Sequence, residues 1–221
     1  MQITAFIHAK GTSERFSGKN MKTLGDKPLF CHAIQKALYS SLVTRVIIDS
    51  DSNKILDIGE DYGAIALKRP KELADNRTTG DDLAFWQSKC YPDSDIMLHV
   101  VPTSPFILPS SIDAAIKLLI DKSVDSVAGV FKDTFYEWKD NTPTYFDENM
   151  RIPNSFDLTP IVYETMGLCV MRTKYVLKHK KRINPYNCAP YYLSKIEAID
   201  INTAEDFEFA EIVWHGLRKR F

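Results

Sequence analysis

The feature that most constrains the fold is a repeated alternation between short apolar runs and amphipathic segments. The run "ITAFI" at residues 3–7 predicts a buried strand, and "KPLFCHAIQKALYSS" after it predicts a helix with apolar side chains at helical spacing. Further strands are predicted at residues 45–50, 64–68, 95–101, 125–130, 167–172 and 195–201, and further helices at residues 53–63, 80–90, 110–122, 173–180 and 203–220. This order predicts a Rossmann-like, doubly wound α/β fold, with a mostly parallel sheet and ligands at the carboxyl ends of its strands.

One segment interrupts the alternation. Residues 131–165 are rich in aromatic residues, proline and asparagine and show no sustained periodicity. A chain of 221 residues is long enough for one sizeable core, so we expect a single domain over residues 1–221 with this segment as an inserted arm. Because aromatic-rich excursions often pack against a second chain, the arm suggests a homodimer.

Charge and cysteine content exclude several classes of protein. The formal net charge of -1 argues against a general nucleic-acid binder, and no apolar run approaches the roughly 20 residues that span a bilayer. The four cysteines form no C-x-x-C pair, so we expect reduced, mostly buried thiols rather than a zinc site or a disulfide framework. A cytoplasmic location without membrane partners is the resulting expectation.

The loop after the first strand, "IHAKGTSERFSGKN", is unusually basic. Lys10, Arg15, Lys19, Lys22 and Lys27 lie within it or just beyond it, at the end of the sheet where ligands bind. Lysines and small residues that permit close backbone approach suit a polyphosphate, whereas a solvated basic loop is the competing interpretation. The glycine spacing matches neither a Walker loop nor G-x-G-x-x-G.

This loop resembles the amino-terminal signature of the CMP-sialic acid synthetase family, the acylneuraminate cytidylyltransferases, which are related to the Kdo cytidylyltransferases. The family motif A-R-x-G-S-K-x-x-x-x-K-N, followed by a G-K-P-L turn, corresponds to "AKGTSERFSGKN" and "GDKPLF". Further similar segments follow in the same order: "IIDSDSNKI", "KRPKELADNRTT", "VVPTSPF" and "AIDINTAEDF". Together they cover most of the chain and are weakest over about residues 131–165.

The resemblance implies a fold of the nucleotide-diphospho-sugar transferase type and a function. A family member transfers CMP from CTP to an acidic sugar, such as a sialic or other nonulosonic acid, and releases pyrophosphate in the presence of Mg²⁺. Family members are dimeric through a comparable arm. Phosphoryl transfer of this kind depends on positioning and charge neutralisation, with little covalent chemistry by side chains.

The resemblance also implies roles for residues in the basic loop. Lys10 would hold the triphosphate, Lys19 corresponds to the catalytic lysine near the α- and β-phosphates, and Asn20 would contact the nucleotide. Arg15 would join the same phosphate cluster. No histidine is assigned as a general base, although His8 borders the loop.

Further roles follow from the downstream segments. Arg69, Thr78 and Thr79 correspond to the loop that reads the ribose and the cytosine edge. Asp200 corresponds to the first acid of the family's D-x-D metal pair, and Asn202 stands where the second acid is usual. Capping of the last helix is the competing interpretation for Asp200.

Several departures from the family pattern leave the acceptor open. Asn202 brings no charge to a metal, Val101 replaces a glutamine, Ser155 stands where an arginine would hold the sugar acid, and Lys10 replaces an arginine. One alternative is therefore a cytidylyltransferase for a phosphonate or another acidic metabolite, and another is a nucleotide-binding protein with impaired catalysis. A different acceptor pocket in the arm is also conceivable, built from Lys132, Tyr136, Trp138, Lys139 and Arg151.

Overall fold

The computed structural model describes residues 1–12 and 16–218. Its strands are β1 (Ile3–His8), β2 (Thr23–Leu24), β3 (Lys27–Pro28), β4 (Arg45–Ser50), β5 (Ile65–Lys68), β6 (Ile96–Val100), β7 (Ser126–Asp133), β8 (Trp138–Lys139), β9 (Thr142–Pro143), β10 (Ile161–Arg172) and β11 (Cys188–Tyr192). Its α-helices are α1 (Leu29–Leu38), α2 (Asn53–Asp61), α3 (Gly80–Cys90), α4 (Pro109–Asp121), α5 (Thr173–His179) and α6 (Ala204–Arg218).

A central sheet of seven strands organises the described residues, in the order β11-β7-β10-β6-β1-β4-β5. β1 pairs in parallel with both β4 and β6, β4 with β5, and β11 with β7. Only β10 runs antiparallel to its neighbours in this sheet, β6 and β7. The expected mostly parallel, doubly wound sheet is therefore confirmed, and the chain leaves β1 toward β4 first and later returns to β6 on its other side, which opens a ligand crevice.

Helices cover both faces of the sheet because its strands bury both sets of side chains. Ile7 of β1 joins a core cluster with Ile34 of α1 and Ile116 of α4, whereas Phe6 points to the opposite face and clusters with Ala84 of α3 and Val176 of α5. This alternation is the period of two expected of a strand. α6 packs instead against the β2–β3 hairpin, through a third cluster of apolar side chains that includes Leu24, Phe106, Ile201, Phe207 and Ala210.

The predicted strand at residues 195–201 is wrong. The chain turns there, because Glu197 accepts hydrogen bonds from the backbone N–H and hydroxyl of Ser194 (3.2 and 2.8 Å) and from the N–H of Leu108 (3.2 Å). The edge strand next to β7 is instead β11, and β10 begins at Ile161, six residues before the predicted start of that strand at 167. The predicted last helix is described as far as Arg218, and its residues 219 and 220 lie outside the described range.

The segment over residues 131–165 is partly sheet. Its first residues complete β7 and its last residues begin β10, while the intervening chain carries the small β8–β9 hairpin. Several large apolar side chains of this segment are exposed: Phe135, Tyr136, Trp138, Met150, Ile152, Phe156, Val162 and Tyr163.

All four cysteines are free thiols, of which Cys31 and Cys169 are buried, Cys188 is partly buried and Cys90 is exposed. Burial raises the pKa of both Cys31 and Cys169 to about 12, so these two thiols are not nucleophiles at neutral pH. Among the described helices, none has both the length and the apolar character required to cross a membrane.

Candidate active site

A cavity of about 500 Å³ lies where the carboxyl ends of the parallel strands converge. His8 ends β1, Arg69 follows β5, and Val101 follows β6. The described residues that line the cavity are His8, Lys10, Thr12, Lys19, Asn20, Arg69, Asn76, Val101, Pro102, Thr103 and Asn202. This is the edge of the sheet at which the sequence predicts ligand binding.

The basic loop contributes two amines to this cavity. Lys10 Nζ donates a hydrogen bond to Asn76 Oδ1, and Lys19 Nζ donates to the backbone carbonyl of Ile201 at 2.8 Å. Asn20 is buried in a 3₁₀ turn over Lys19–Met21, and its Nδ2 donates to the carbonyl of Lys10 at 2.9 Å. The turn therefore fixes the conformation of the loop and keeps the amines of Lys10 and Lys19 at the cavity.

The positive φ of Gly18 (65°) lets the chain enter this turn. The N–H of Gly11 donates to Asp51 Oδ1 at 2.8 Å, which ties the loop to the segment after β4. Arg15 lies outside the described residues.

Arg69 is held by a buried ion pair. Its Nε donates to Asp49 Oδ1 at 2.8 Å, and one terminal nitrogen donates to the Asp49 carbonyl at 3.2 Å. Asp49 is fully buried and Arg69 is 5% exposed. Burial raises the pKa of Asp49, but the charge and hydrogen bonds of Arg69 oppose that rise, so we assign the pair as ionised at neutral pH.

Thr78 and Thr79 do not line the cavity. The Thr78 hydroxyl donates to Asp75 Oδ1 at 2.8 Å, and Thr79 is the N-cap of α3 in a reciprocal capping box with Asp82. Both hydroxyls therefore stabilise the entry to α3 in this structure. Their predicted contacts with ribose and cytosine stay a prediction.

Asp200 and Asn202, the residues of the predicted metal pair, are hydrogen bonded to each other. Asn202 lines the cavity, and its Nδ2 donates to Asp200 Oδ2 at 2.6 Å, which leaves the amide oxygen of Asn202 and the other carboxylate oxygen as oxygen donors. The carboxylate at the start of α6 is that of Asp206 rather than Asp200, since the backbone N–H groups of Asn202 and Thr203 donate to Asp206 Oδ2. Among the described residues no group of three or more His, Cys, Asp or Glu side chains is arranged to hold a metal.

The residues predicted to contact the acceptor substrate do not all line the cavity. Val101 lines the cavity, but Ser155 is exposed in the arm. The alternative acceptor set, Lys132, Tyr136, Trp138, Lys139 and Arg151, is also exposed and lines no part of this cavity.

Behind the cavity lies a set of buried polar residues that the sequence analysis does not predict. Asp49 of β4, Gln87 of α3 and His99 of β6 are fully buried and hydrogen bonded in series, and His99 lies edge-to-face against His8 with ring centroids 4.8 Å apart. The signal in the sequence was a polar side chain next to apolar residues, since Asp49 follows "VII" in "RVIIDS" and His99 lies between "IML" and "VV" in "DIMLHVV". The sequence could not show that Asp49, Gln87 and His99 are hydrogen-bonded to one another, because they lie far apart along the chain.

Comparison with known proteins agrees with this geometry. The cytidylyltransferase family model matches residues 4–214. The chain is 30% identical over 226 residues to the CMP-N,N'-diacetyllegionaminic acid synthase of Legionella pneumophila, covering 96% of this chain and 95% of that protein. It is 28% identical over 220 residues to the N-acylneuraminate cytidylyltransferase of Escherichia coli, covering 95% of this chain and 51% of that protein.

A solved structure shows the same fold. CMP:2-keto-3-deoxy-manno-octonic acid synthetase, in complex with CTP, superimposes with a TM-score of 0.75 at 12% sequence identity, covering 98% of this chain and all of that chain. The resemblance found in the sequence motifs is thereby confirmed over nearly the whole length. The chain belongs to the cytidylyltransferase family.

Proposed function

We propose that this protein transfers CMP from CTP to a nonulosonic acid and releases pyrophosphate, as a step in the synthesis of surface-glycan precursors. The observation that carries the proposal is that Lys10, Lys19, Asn20 and Arg69 line one cavity at the ligand-binding edge of the sheet. The acceptor class is inferred from relatives whose names specify legionaminic and neuraminic acids.

The reaction is an in-line displacement at phosphorus. The anomeric hydroxyl oxygen of the acceptor forms a bond to the α-phosphorus, the bond from that phosphorus to the bridging oxygen of the β-phosphate breaks, and pyrophosphate leaves. The hydroxyl proton passes to solvent. The role of Lys10 and Lys19 is to offset negative charge on the triphosphate as it is redistributed, which a preorganised cationic site does without reorganising water.

Nucleotide recognition is proposed for Asn20 and Arg69. Asp49 fixes the guanidinium of Arg69, so that its remaining N–H groups are preorganised for ribose or base oxygens. Arg15, Thr78 and Thr79 are retained as predicted contacts. The Thr78 and Thr79 hydroxyls would have to exchange their bonds to Asp75 and Asp82 for bonds to the nucleotide.

Magnesium is proposed as the cofactor. Mg²⁺ commonly binds through one or two carboxylates together with phosphate oxygens, and Asp200 with the amide oxygen of Asn202 fits such a sparse site. Bound there, the ion would neutralise charge on the phosphates of CTP. A single protein carboxylate makes the proposed site dependent on the nucleotide, so Mg²⁺ should bind weakly without CTP.

We also propose a cytoplasmic homodimer. The exposed apolar side chains of the arm support the dimer. The departures at Val101 and Ser155 favour an acceptor contact different from the family's usual one, and a phosphonate or another acidic metabolite is the second candidate acceptor.

The test is a two-stage assay on the purified protein. Titration calorimetry with CTP, UTP, ATP and GTP, each with and without Mg²⁺, should give binding of CTP that Mg²⁺ strengthens. Pyrophosphate release should then require CTP, Mg²⁺ and one member of a panel of nonulosonic acids, Kdo and phosphonates. Preference for another nucleotide would contradict the proposal, and CTP binding without pyrophosphate release across the panel would favour the impaired enzyme.

A further inference from the structure

Five side chains make a continuous path beneath the floor of the cavity. Arg69 donates to Asp49 Oδ1 at 2.8 Å, Gln87 Nε2 donates to Asp49 Oδ2 at 2.7 Å, and Gln87 Oε1 lies 2.7 Å from His99 Nε2. His99 then contacts the ring of His8. Both ends of the path, Arg69 and His8, line the cavity, whereas the three middle residues are completely buried.

The chemistry of the groups fixes the direction of every hydrogen bond. An ionised carboxylate only accepts, so the Gln87 amide must direct its nitrogen toward Asp49 and its oxygen toward His99. His99 must therefore carry its hydrogen on Nε2, and its Nδ1 is an unprotonated acceptor. No alternative orientation satisfies the bonds at both ends of Gln87.

The His8 end of the path reaches the cavity. The Nδ1 atoms of His8 and His99 are buried and have no hydrogen-bond partner within the described part of the chain. His8 itself is only partly buried and lines the cavity between β1 and the basic loop. Its ring orientation is constrained by the edge-to-face contact with His99.

We infer that Asp49, Gln87 and His99 are positioning residues that hold the Arg69 guanidinium and the His8 imidazole in one fixed arrangement for the bound nucleotide. His8 is then a ligand-contacting residue in its own right. Because these contacts run without interruption from Arg69 to His8, removal of a middle residue should change the positions of both Arg69 and His8 and weaken CTP binding.

The surroundings keep both rings neutral. Burial lowers the pKa of His8 to about 3, and the nearby positive charges of Arg69 and Arg182 act in the same direction. Burial likewise lowers the pKa of His99 well below its ordinary value, assisted by His8, Arg182 and Arg69. On the neighbouring strand Cys169 faces His99 in register with a thiol pKa of about 12, and Asp81 accepts from Arg182. A neutral His99 ring, with its one hydrogen on Nε2, is what the hydrogen bond to Gln87 and the unprotonated Nδ1 require.

Two substitutions of His99 separate positioning from packing. His99→Gln retains an amide N–H near the position of Nε2 and can still donate to Gln87, whereas His99→Leu cannot. We expect His99→Leu to raise the Kd for CTP about tenfold and His99→Gln to raise it less than about threefold. In an Arg69→Ala background, His99→Leu should raise the Kd by clearly less than about tenfold, because only His8 is then left for the path to position.

Met97 supplies the matched control. It lies two residues before His99 on the same strand, is fully buried and packs on the same face in an apolar cluster. Met97→Ala should lower the thermal unfolding midpoint without changing the Kd for CTP. Equal effects of His99→Leu and His99→Gln, or full additivity with Arg69→Ala, would overturn the inference.

Because CTP is the probe, the inference rests on the proposed function. One measurement distinguishes a failure of the positioning network from a failure of the proposed function. Nitrogen-15 NMR of the wild-type protein should show His99 in the Nε2–H form with no titration between pH 5 and 8. Absence of CTP binding with this signal intact would contradict the proposed function only. A His99 ring that carries its hydrogen on Nδ1, or that titrates in this range, would overturn the positioning network whatever the ligand.

Discussion

At the scale of single residues, Lys19 is the amine whose removal should affect catalysis most. Lys19 lines the cavity, and its Nζ lies 2.8 Å from the carbonyl of Ile201, the residue between the proposed metal ligands Asp200 and Asn202 in the sequence. Loss of one preorganised donor to a developing charge typically lowers kcat by about 10²–10³-fold. We expect Lys19→Ala to lower kcat by that amount while the unfolding midpoint changes little, as measured by steady-state pyrophosphate release and thermal denaturation.

Lys22 provides the control for that substitution. It belongs to the same basic loop but is exposed, lies over the ring of Phe16 at 4.7 Å and does not line the cavity. Lys22→Ala should keep kcat within about twofold of wild type, since surface charges outside a site contribute little. If both variants lost activity equally, general basicity of the loop rather than the placement of Lys19 would explain catalysis.

The two neutral histidines, His8 and His99, should make the protein sensitive to acid. His8 has a folded-state pKa of about 3 against an ordinary value of 6.5, so below pH 6.5 the unfolded chain binds a proton that the folded chain does not. The free energy of unfolding should therefore be greatest above pH 6.5 and fall as the pH drops toward 3, by about 1.4 kcal/mol per pH unit for each such group.

Urea denaturation between pH 7 and 4.5 measures this slope. His8→Leu should reduce this slope by the contribution of about one proton, because the substituted chain no longer takes up that proton on unfolding. An identical slope in wild type and His8→Leu would contradict the assignment of His8 as a neutral ring in the folded protein.

At the scale of elements, the sequence predicts long periodic segments well and short edge segments poorly. α3 begins and ends at residues 80 and 90 as expected, because its pattern and its capping threonine agree. The segment "KIEAIDI" has the alternation of a strand, but Ile199 and Ile201 join the α6 cluster, and the bonds of Glu197 force a turn. β11 was missed because "CAPYY" is short and contains Pro190, which strand patterns exclude from all but edges.

The turn between β2 and β3 shows how an element depends on one glycine. Gly25 has a φ of 69°, and a Cβ at this position would lie 2.1 Å from Nε1 of Trp214 on α6. We expect Gly25→Ala to lower the free energy of unfolding by about 2–5 kcal/mol, through left-handed strain and overpacking together, as measured by urea denaturation.

Gly18 separates these two costs. Its φ is 65°, nearly the same, but apart from its two chain neighbours no atom of the described residues would lie within 4 Å of a Cβ at this position. Gly18→Ala should therefore cost only the backbone strain, about 1–2 kcal/mol. Equal losses for the two variants would show that the contact between the hairpin and α6 contributes nothing to stability.

At the scale of the whole molecule, the cationic half of the site could be predicted and the buried half could not. Lys10, Lys19 and Asn20 follow one strand in a contiguous motif, so topology alone brings them to the ligand-binding edge. Asp49 and His99 lie on strands separated by β1, and their link through Gln87 depends on how α3 packs over the sheet. Such packing is a tertiary property that no local pattern encodes.

The proposed homodimer depends on the apolar side chains that the arm exposes. Phe156 and Trp138 of the arm are 82% and 63% exposed, and monomeric proteins rarely expose contiguous apolar patches of more than a few hundred Å². A stable dimer buries at least about 1,000 Å² in total, which needs several such side chains at once. We expect size-exclusion chromatography with light scattering to give twice the monomer mass for the wild type and the monomer mass for the double variant Phe156→Glu/Trp138→Glu.

Tyr186 supplies the control because it is 97% exposed and lies outside the arm. Tyr186→Glu should remain dimeric, since a charged side chain disrupts association only where it would be desolvated. If the monomeric double variant keeps its circular dichroism spectrum, the arm contributes to assembly rather than to the fold of the sheet. A wild-type protein that stays monomeric at its highest soluble concentration would contradict the dimer and leave the exposed aromatic side chains available to a different partner.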